Sequence, residues 1–165
     1  MATLYTNLTK GLDETPFRPV PEGYLQGKAR AVRTQPAALE PAQNDVLDIA
    51  VLPADTVFNP IHAAVLFGAF GAGVTLDIGW KANGAIGLAA DPNGLADGLD
   101  ISAAGSANPF GIKNTVTGFD QPLWKWCGLS EAPAPGSMIT LTGTFADAAP
   151  DPASIAFYLP LLQGR

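Results

Sequence analysis

The stretch Ala63-Ala-Val-Leu-Phe-Gly-Ala-Phe-Gly-Ala-Gly-Val-Thr-Leu-Asp-Ile-Gly-Trp-Lys81 decides the fold. Its second half alternates. Val74, Leu76, Ile78 and Trp80 fall on one side, and Thr75, Asp77, Gly79 and Lys81 on the other. Side chains of a strand point to opposite faces in turn, so this pattern predicts a half-buried β-strand with one core face. The first half, Ala63 to Phe67, is a short apolar run, and Gly68, Gly71 and Gly73 lie between the halves. Glycine reaches positive φ at no steric cost, so the spacing predicts a β-hairpin at the centre of a sheet.

Outward from this stretch, more strands of the same kind appear. On the N-terminal side, Val46-Leu-Asp-Ile-Ala-Val-Leu52 places Leu47, Ile49 and Val51 on one face. Pro53-Ala-Asp55 turns the chain into Thr56-Val-Phe58, which Pro60 interrupts, as expected of an edge or a bulge. On the C-terminal side, Ser137 to Phe145 puts Ile139, Leu141 and Phe145 opposite Thr140, Thr142 and Thr144. Ser154 to Leu162 returns after a Pro-containing reversal, and the two read as a second antiparallel hairpin. Residues 82–115 are rich in turn signals and read as a long irregular excursion, with one helical turn over Leu95 to Ala103.

Composition agrees with an all-β chain. Among 165 residues there are 18 Gly and 15 Pro, spread without period, which leaves little room for helices. A chain this long buries roughly 70% of its unfolded surface, enough for one core. The expectation is an antiparallel β-sandwich, jelly-roll-like, of seven to eight strands over residues 41–165. Residues 1–40 read as an extended N-terminal arm and connector, with a short strand at 28–33. Pro16, Pro19 and Pro21 keep the arm extended, while its apolar residues follow no period. It should therefore lie along a surface, its own or a partner's, with Leu4, Tyr5, Phe17, Tyr24 and Leu25 as contact candidates.

Charge narrows the partners. The net charge is −6, which argues against nucleic acid, because phosphate binding needs clustered Lys and Arg. Residues 1–40 hold five basic and four acidic side chains, and the remaining chain four and eleven. A slightly basic arm on an acidic body suits docking on an acidic neighbour, such as a second copy. No apolar run reaches the ~20 residues that span a bilayer, so no membrane partner is expected. The first ten residues show no charged segment followed by an apolar one, which predicts a chain made in a cytoplasm without a signal peptide.

Chemistry is in short supply. One His (His62) and one Cys (Cys127) rule out multi-histidine and thiolate metal sites, and no intrachain disulfide can form. His62 reads as structural and Cys127 as buried and inert. No Gly-x-Ser-x-Gly elbow occurs, and the glycines at 68, 71 and 73 lack phosphate-loop spacing. The acidic run Asp91 to Asp100 reads as solvated turns, with a bound cation as the alternative, although the EF-hand pattern is not met. Neither a catalytic residue, nor a metal, nor a cofactor is expected. Trp124 and Trp126 would share a face in an extended segment, as core, as a partner-contact surface or as a carbohydrate platform.

Taken in order, Val-Leu-Asp-Ile-Ala-Val-Leu-Pro-Ala (46–54), Gly-Val-Thr-Leu-Asp-Ile-Gly-Trp (73–80), Leu-Asp-Ile-Ser-Ala-Ala-Gly (99–105) and Ile-Thr-Leu-Thr-Gly-Thr-Phe (139–145) form a progression. It resembles the capsid decoration, or cement, proteins of tailed bacteriophages over roughly residues 44–162. The resemblance leaves residues 106–136 and the arm unaccounted for. It implies a non-enzymatic virion protein on the capsid exterior that binds the major capsid protein, bridges neighbouring capsomers and associates with itself as a homotrimer. The alternative is a phage fibre or adhesion module, a carbohydrate-binding β-sandwich in which the two tryptophans meet a glycan.

Overall fold

The computed structural model describes residues 3–5, 31–34, 37–111 and 121–162. These form two facing sheets, as expected of an all-β sandwich. Sheet A runs in the order β1 (Thr3–Tyr5), β4 (Val46–Pro53), β10 (Met138–Ala146), β7 (Thr75–Trp80) and β8 (Asp91–Asp100). Sheet B runs β2 (Ala31–Arg33), β11 (Ala153–Leu162), β6 (Ala64–Phe67) and β9 (Gly105–Ala107). Two short strands, β3 (Ala37–Leu39) and β5 (Val57–Phe58), also pair with β11. The described residues thus contain eleven strands rather than seven or eight, the excess being two- and three-residue pieces. Such pieces are too short to show a period in sequence. Residues 31–33 and 37–39, within the expected arm and connector, belong to sheet B.

The decisive stretch forms its strand but not its hairpin. Val74, Leu76, Ile78 and Trp80 all sit in the core, as the alternation requires. Yet β6 pairs with β11 and β9 in sheet B, while β7 pairs with β10 and β8 in sheet A. The connection 68–73 therefore crosses from one sheet to the other. Phe70 explains why: it is fully buried at the middle of the crossing, its ring 5.3 Å from that of Phe145. A tight hairpin turn would have left that ring in water, at a cost of about 2 kcal/mol.

The C-terminal pair repeats the arrangement. β10 lies in sheet A and β11 in sheet B, so they too are joined by a crossing and not by a hairpin turn. The two crossings lie side by side, with the Asp151 amide donating to the Phe70 carbonyl (2.7 Å) and Thr75 Oγ1 to Asp147 Oδ2 (2.7 Å). Gly71 has a φ of +102°, and a Cβ there would press on the Asp151 carboxylate. Each crossing unit thus supplies one strand to each sheet and pairs with the other unit in both.

Two bulges explain further departures. In β4, Ala50 faces Leu141 and Asp48 faces Thr142, so Ile49 is an extra residue that shifts the phase. Leu47 and Ile49 are core as expected, but Leu52, not Val51, continues the core face. The region expected to be irregular holds the ten-residue edge strand β8, and no helical turn forms over 95–103. Ile78 faces Ala96 and Trp80 faces Asp91, so a large bulge absorbs residues 92–95. Leu95 and Ala96 are buried on it. Turn-type residues mark this strand because a bulged edge strand uses them.

Candidate functional site

The two tryptophans lie on one turn of helix, α1 (Leu123–Trp126), and not on an extended segment. Pro122 precedes it in extended geometry, and Gly128 ends it at a φ of +81°. Proline at the start and glycine at the end are the start and stop signals of a helix, and Gln-Pro-Leu-Trp-Lys-Trp-Cys-Gly carries both. Residues two apart on a helix point roughly 200° apart. Trp124 and Trp126 therefore do not share a face, and their roles divide.

Trp126 is core. Its ring stacks on Phe58 at 5.7 Å and meets Phe110 edge-on at 5.2 Å, and Phe58 and Phe110 are themselves 4.8 Å apart. Cys127 is buried beside it. Trp124 is half-buried and lines a surface cleft of about 160 Å³ together with Ala54, Asp55 and the turn 132–137. Backbone hydrogen bonds fix the three walls. The Trp124 amide donates to the Ala54 carbonyl (2.9 Å), the Ala54 amide to the Ser137 carbonyl (2.8 Å), and the Ser137 amide and Oγ both donate to the Ala134 carbonyl (3.1 and 2.7 Å). Pro133 and Pro135 restrict the turn, so this wall of the cleft has little backbone freedom.

Among the described residues, no hydrogen bond engages the Trp124 indole N–H, and none engages the Asp55 carboxylate. The cleft is thus lined by one half-buried aromatic residue and one exposed acidic residue. Its lining contains no basic side chain.

A second surface is the outer face of sheet B. On β11, Ile155, Phe157 and Leu159 point inward, so Ser154, Ala156 and Tyr158 point out. Across the ladder Ala156 faces Leu66, Leu66 faces Ser106, and Tyr158 faces both Ala64 and Arg33. Leu66 is 52% exposed, and Ile61, 59% exposed, sits in the 3-10 turn Pro60–His62 leading into β6. The Arg33 guanidinium lies over the Tyr158 ring, 4.9 Å from its centre. Among the described residues, Arg33 is the one charged residue in the strands of this sheet.

The remaining candidates place simply. The backbone of Leu4 and Tyr5 lies in β1, in parallel register with Leu47 and Asp48 at the edge of sheet A. Phe17, Tyr24 and Leu25 lie outside the described residues. His62 is exposed. Within Asp91–Asp100 the carboxylates of Asp91 and Asp100 accept from nearby backbone amides, those of Asn93 (3.4 Å) and Ser102 (2.9 Å). Among the described residues no three His, Cys, Asp or Glu side chains gather where they could hold a metal ion, and no helix is long and apolar enough to cross a membrane.

Sequence reasoning found Trp124 but missed the Pro-rich turn that makes a cleft of it. The signal was present as Ala132-Pro-Ala-Pro-Gly136, which reads as a turn and gives no hint of what it will face. No protein-family model matches the chain, and no curated protein or solved structure matches it either.

Proposed function

We propose that this protein is a non-enzymatic virion structural protein, a capsid decoration protein that binds the outside of an icosahedral phage head and bridges neighbouring capsomers. The observation that carries the reading is the outer face of sheet B. It presents Leu66, Ala64, Ala156 and Tyr158 on a chain of net charge −6, and among the described residues no carboxylate lies in its strands. A protein of that charge repels acidic surfaces except where its own acids are absent, so this face is able to meet another protein closely. The sequence progression through 46–54, 73–80, 99–105 and 139–145 supports the same reading by resemblance. The partners are the major capsid protein and sister copies, with a homotrimer as the assembled form.

Multivalency makes such a role workable. Each contact across a small face is weak, but a trimer seated on several capsomers binds by effective concentration rather than by any single interface. The experiment is the copy number of this protein in purified virions, measured by quantitative mass spectrometry against the major capsid protein. Hundreds of copies in simple ratio to the shell protein are expected. A handful would move the protein to a fibre or adhesion module, and none would end the virion reading.

A further inference from the structure

We propose that the Trp124 cleft is a docking site for a guanidinium group, an arginine side chain presented by a protein partner. The inference stands apart from the decoration reading, since it concerns a different surface and a different chemistry. Three features of the cleft select the ligand. The half-buried Trp124 indole offers the aromatic ring best suited to attract a cation, and a planar guanidinium can lie flat upon it. Asp55 lies one residue beyond Ala54, whose carbonyl accepts the Trp124 amide at 2.9 Å, and Asp55 and Trp124 both line the one cleft. A carboxylate accepts two parallel N–H bonds from a guanidinium, a fork that an ammonium, a point charge, does not present.

Charge points the same way. No basic side chain lines the cleft, and residues 41–165 carry eleven acidic against four basic groups, so the surrounding field favours a cation. Size agrees as well: about 160 Å³ admits the end of one side chain and not a folded segment. Among the described residues the same chemistry occurs where the Arg33 guanidinium sits over Tyr158 at 4.9 Å. The walls are pinned by backbone hydrogen bonds and two prolines, so little ordering cost attends binding. Aromatic residues and arginine are the side chains most often found to carry interface affinity, which makes a Trp124–arginine contact an effective anchor.

The test uses the full chain labelled with ¹⁵N-tryptophan and titrated with N-acetyl-argininamide, reading the three indole cross-peaks. Saturable movement of the Trp124 peak is expected, with the Trp80 and Trp126 peaks still, since both of those rings are buried. Asp55→Asn, at an exposed position, should weaken binding roughly fivefold, and the still Trp80 and Trp126 peaks report that the fold is intact. Half-molar salt should weaken it as well. The proposal is overturned if the Trp124 peak does not move, or if Asp55→Asn and salt leave the affinity unchanged. It is equally overturned if methyl glucoside moves the peak and the arginine derivative does not, which would make the cleft a saccharide site.

Discussion

The two outer faces of this sandwich are built to opposite plans. Among the described residues, the strands of sheet A contain five aspartates, Asp48, Asp77, Asp91, Asp97 and Asp100, and no basic residue. Those of sheet B contain Arg33 and no acid. Most of the sheet A acids are engaged by the fold itself. Lys81 Nζ reaches both oxygens of Asp48 at 2.7 and 2.8 Å, Asp77 accepts from the Gly98 amide at 2.7 Å, and Asp100 accepts from the Ser102 amide at 2.9 Å. On sheet B the outward side chains are alanine, serine, leucine and tyrosine, and Arg33 over Tyr158 is the one polar contact among those named. A face whose side chains hold the fold together is costly to alter. One whose side chains do little for the fold is available to a partner.

Substitutions should expose this asymmetry. The largest effect is expected on sheet A from Gly79→Ala, because a Cβ there would collide with the Asp91 carbonyl and the Pro92 backbone. Backbone cannot yield as a side-chain tip can, so β8 must shift, and urea denaturation should show a loss of about 3 kcal/mol. Next comes Asp48→Ala, which leaves the Lys81 ammonium without its partner. Removing half of a buried pair costs about 3–5 kcal/mol, but Lys81 is 40% exposed and regains water, so about 2 kcal/mol is expected from the same measurement.

On sheet B, Tyr158→Ala should cost about 1 kcal/mol through lost contact with Arg33 and lost apolar area. Leu66→Ser should change stability by no more than ~0.5 kcal/mol, since the side chain is already half in water. The same variant should lower attachment to capsid shells about tenfold in a sedimentation assay, if sheet B is the docking face. A Leu66 variant as unstable as the Asp48 one would break the contrast between the faces.

How much of this was legible beforehand follows from which interactions are local. The core faces of β7 and β10 could be read from alternation alone, because Leu76, Ile78, Ile139, Leu141 and Phe145 obey the pleat. What alternation cannot say is which strand lies beside which. Both expected hairpins proved to be crossings between sheets, and the clue was a large ring, Phe70, among the turn glycines. The Ile49 bulge moved Val51 off the core face, and a one-residue shift of that kind leaves no mark in composition. In β8, turn chemistry hid a strand. At the tryptophans the Pro-start and Gly-stop signals were present, but a one-turn helix is too short to show a period. The cleft itself was illegible, since it joins residues 54–55, 124 and 132–137, which only the fold brings together.

The smallest effect expected is at the rim of sheet A, and it tests the same contrast through pH. The Asp100 carboxyl is held below its ordinary value of 3.8 by hydrogen bonds from Ser102, chiefly its hydroxyl and then its amide. A carboxyl whose folded pKa lies below its unfolded one binds fewer protons when folded. Its contribution is therefore present in full above the unfolded value and lost as pH falls through the folded one. Ser102→Ala should move the Asp100 midpoint back up towards 3.8 in a carboxyl ¹³C titration, while the Asp100→Asn chain should lose this part of its acid sensitivity. Because Asp100 pairs with Thr75 in sheet A and the described strands of sheet B hold no carboxylate, acid should loosen amide protection on the β7–β8 side first. Equal loosening of β6 and β11 at the same pH would mean that the two faces are coupled through the core more tightly than their separate chemistries suggest.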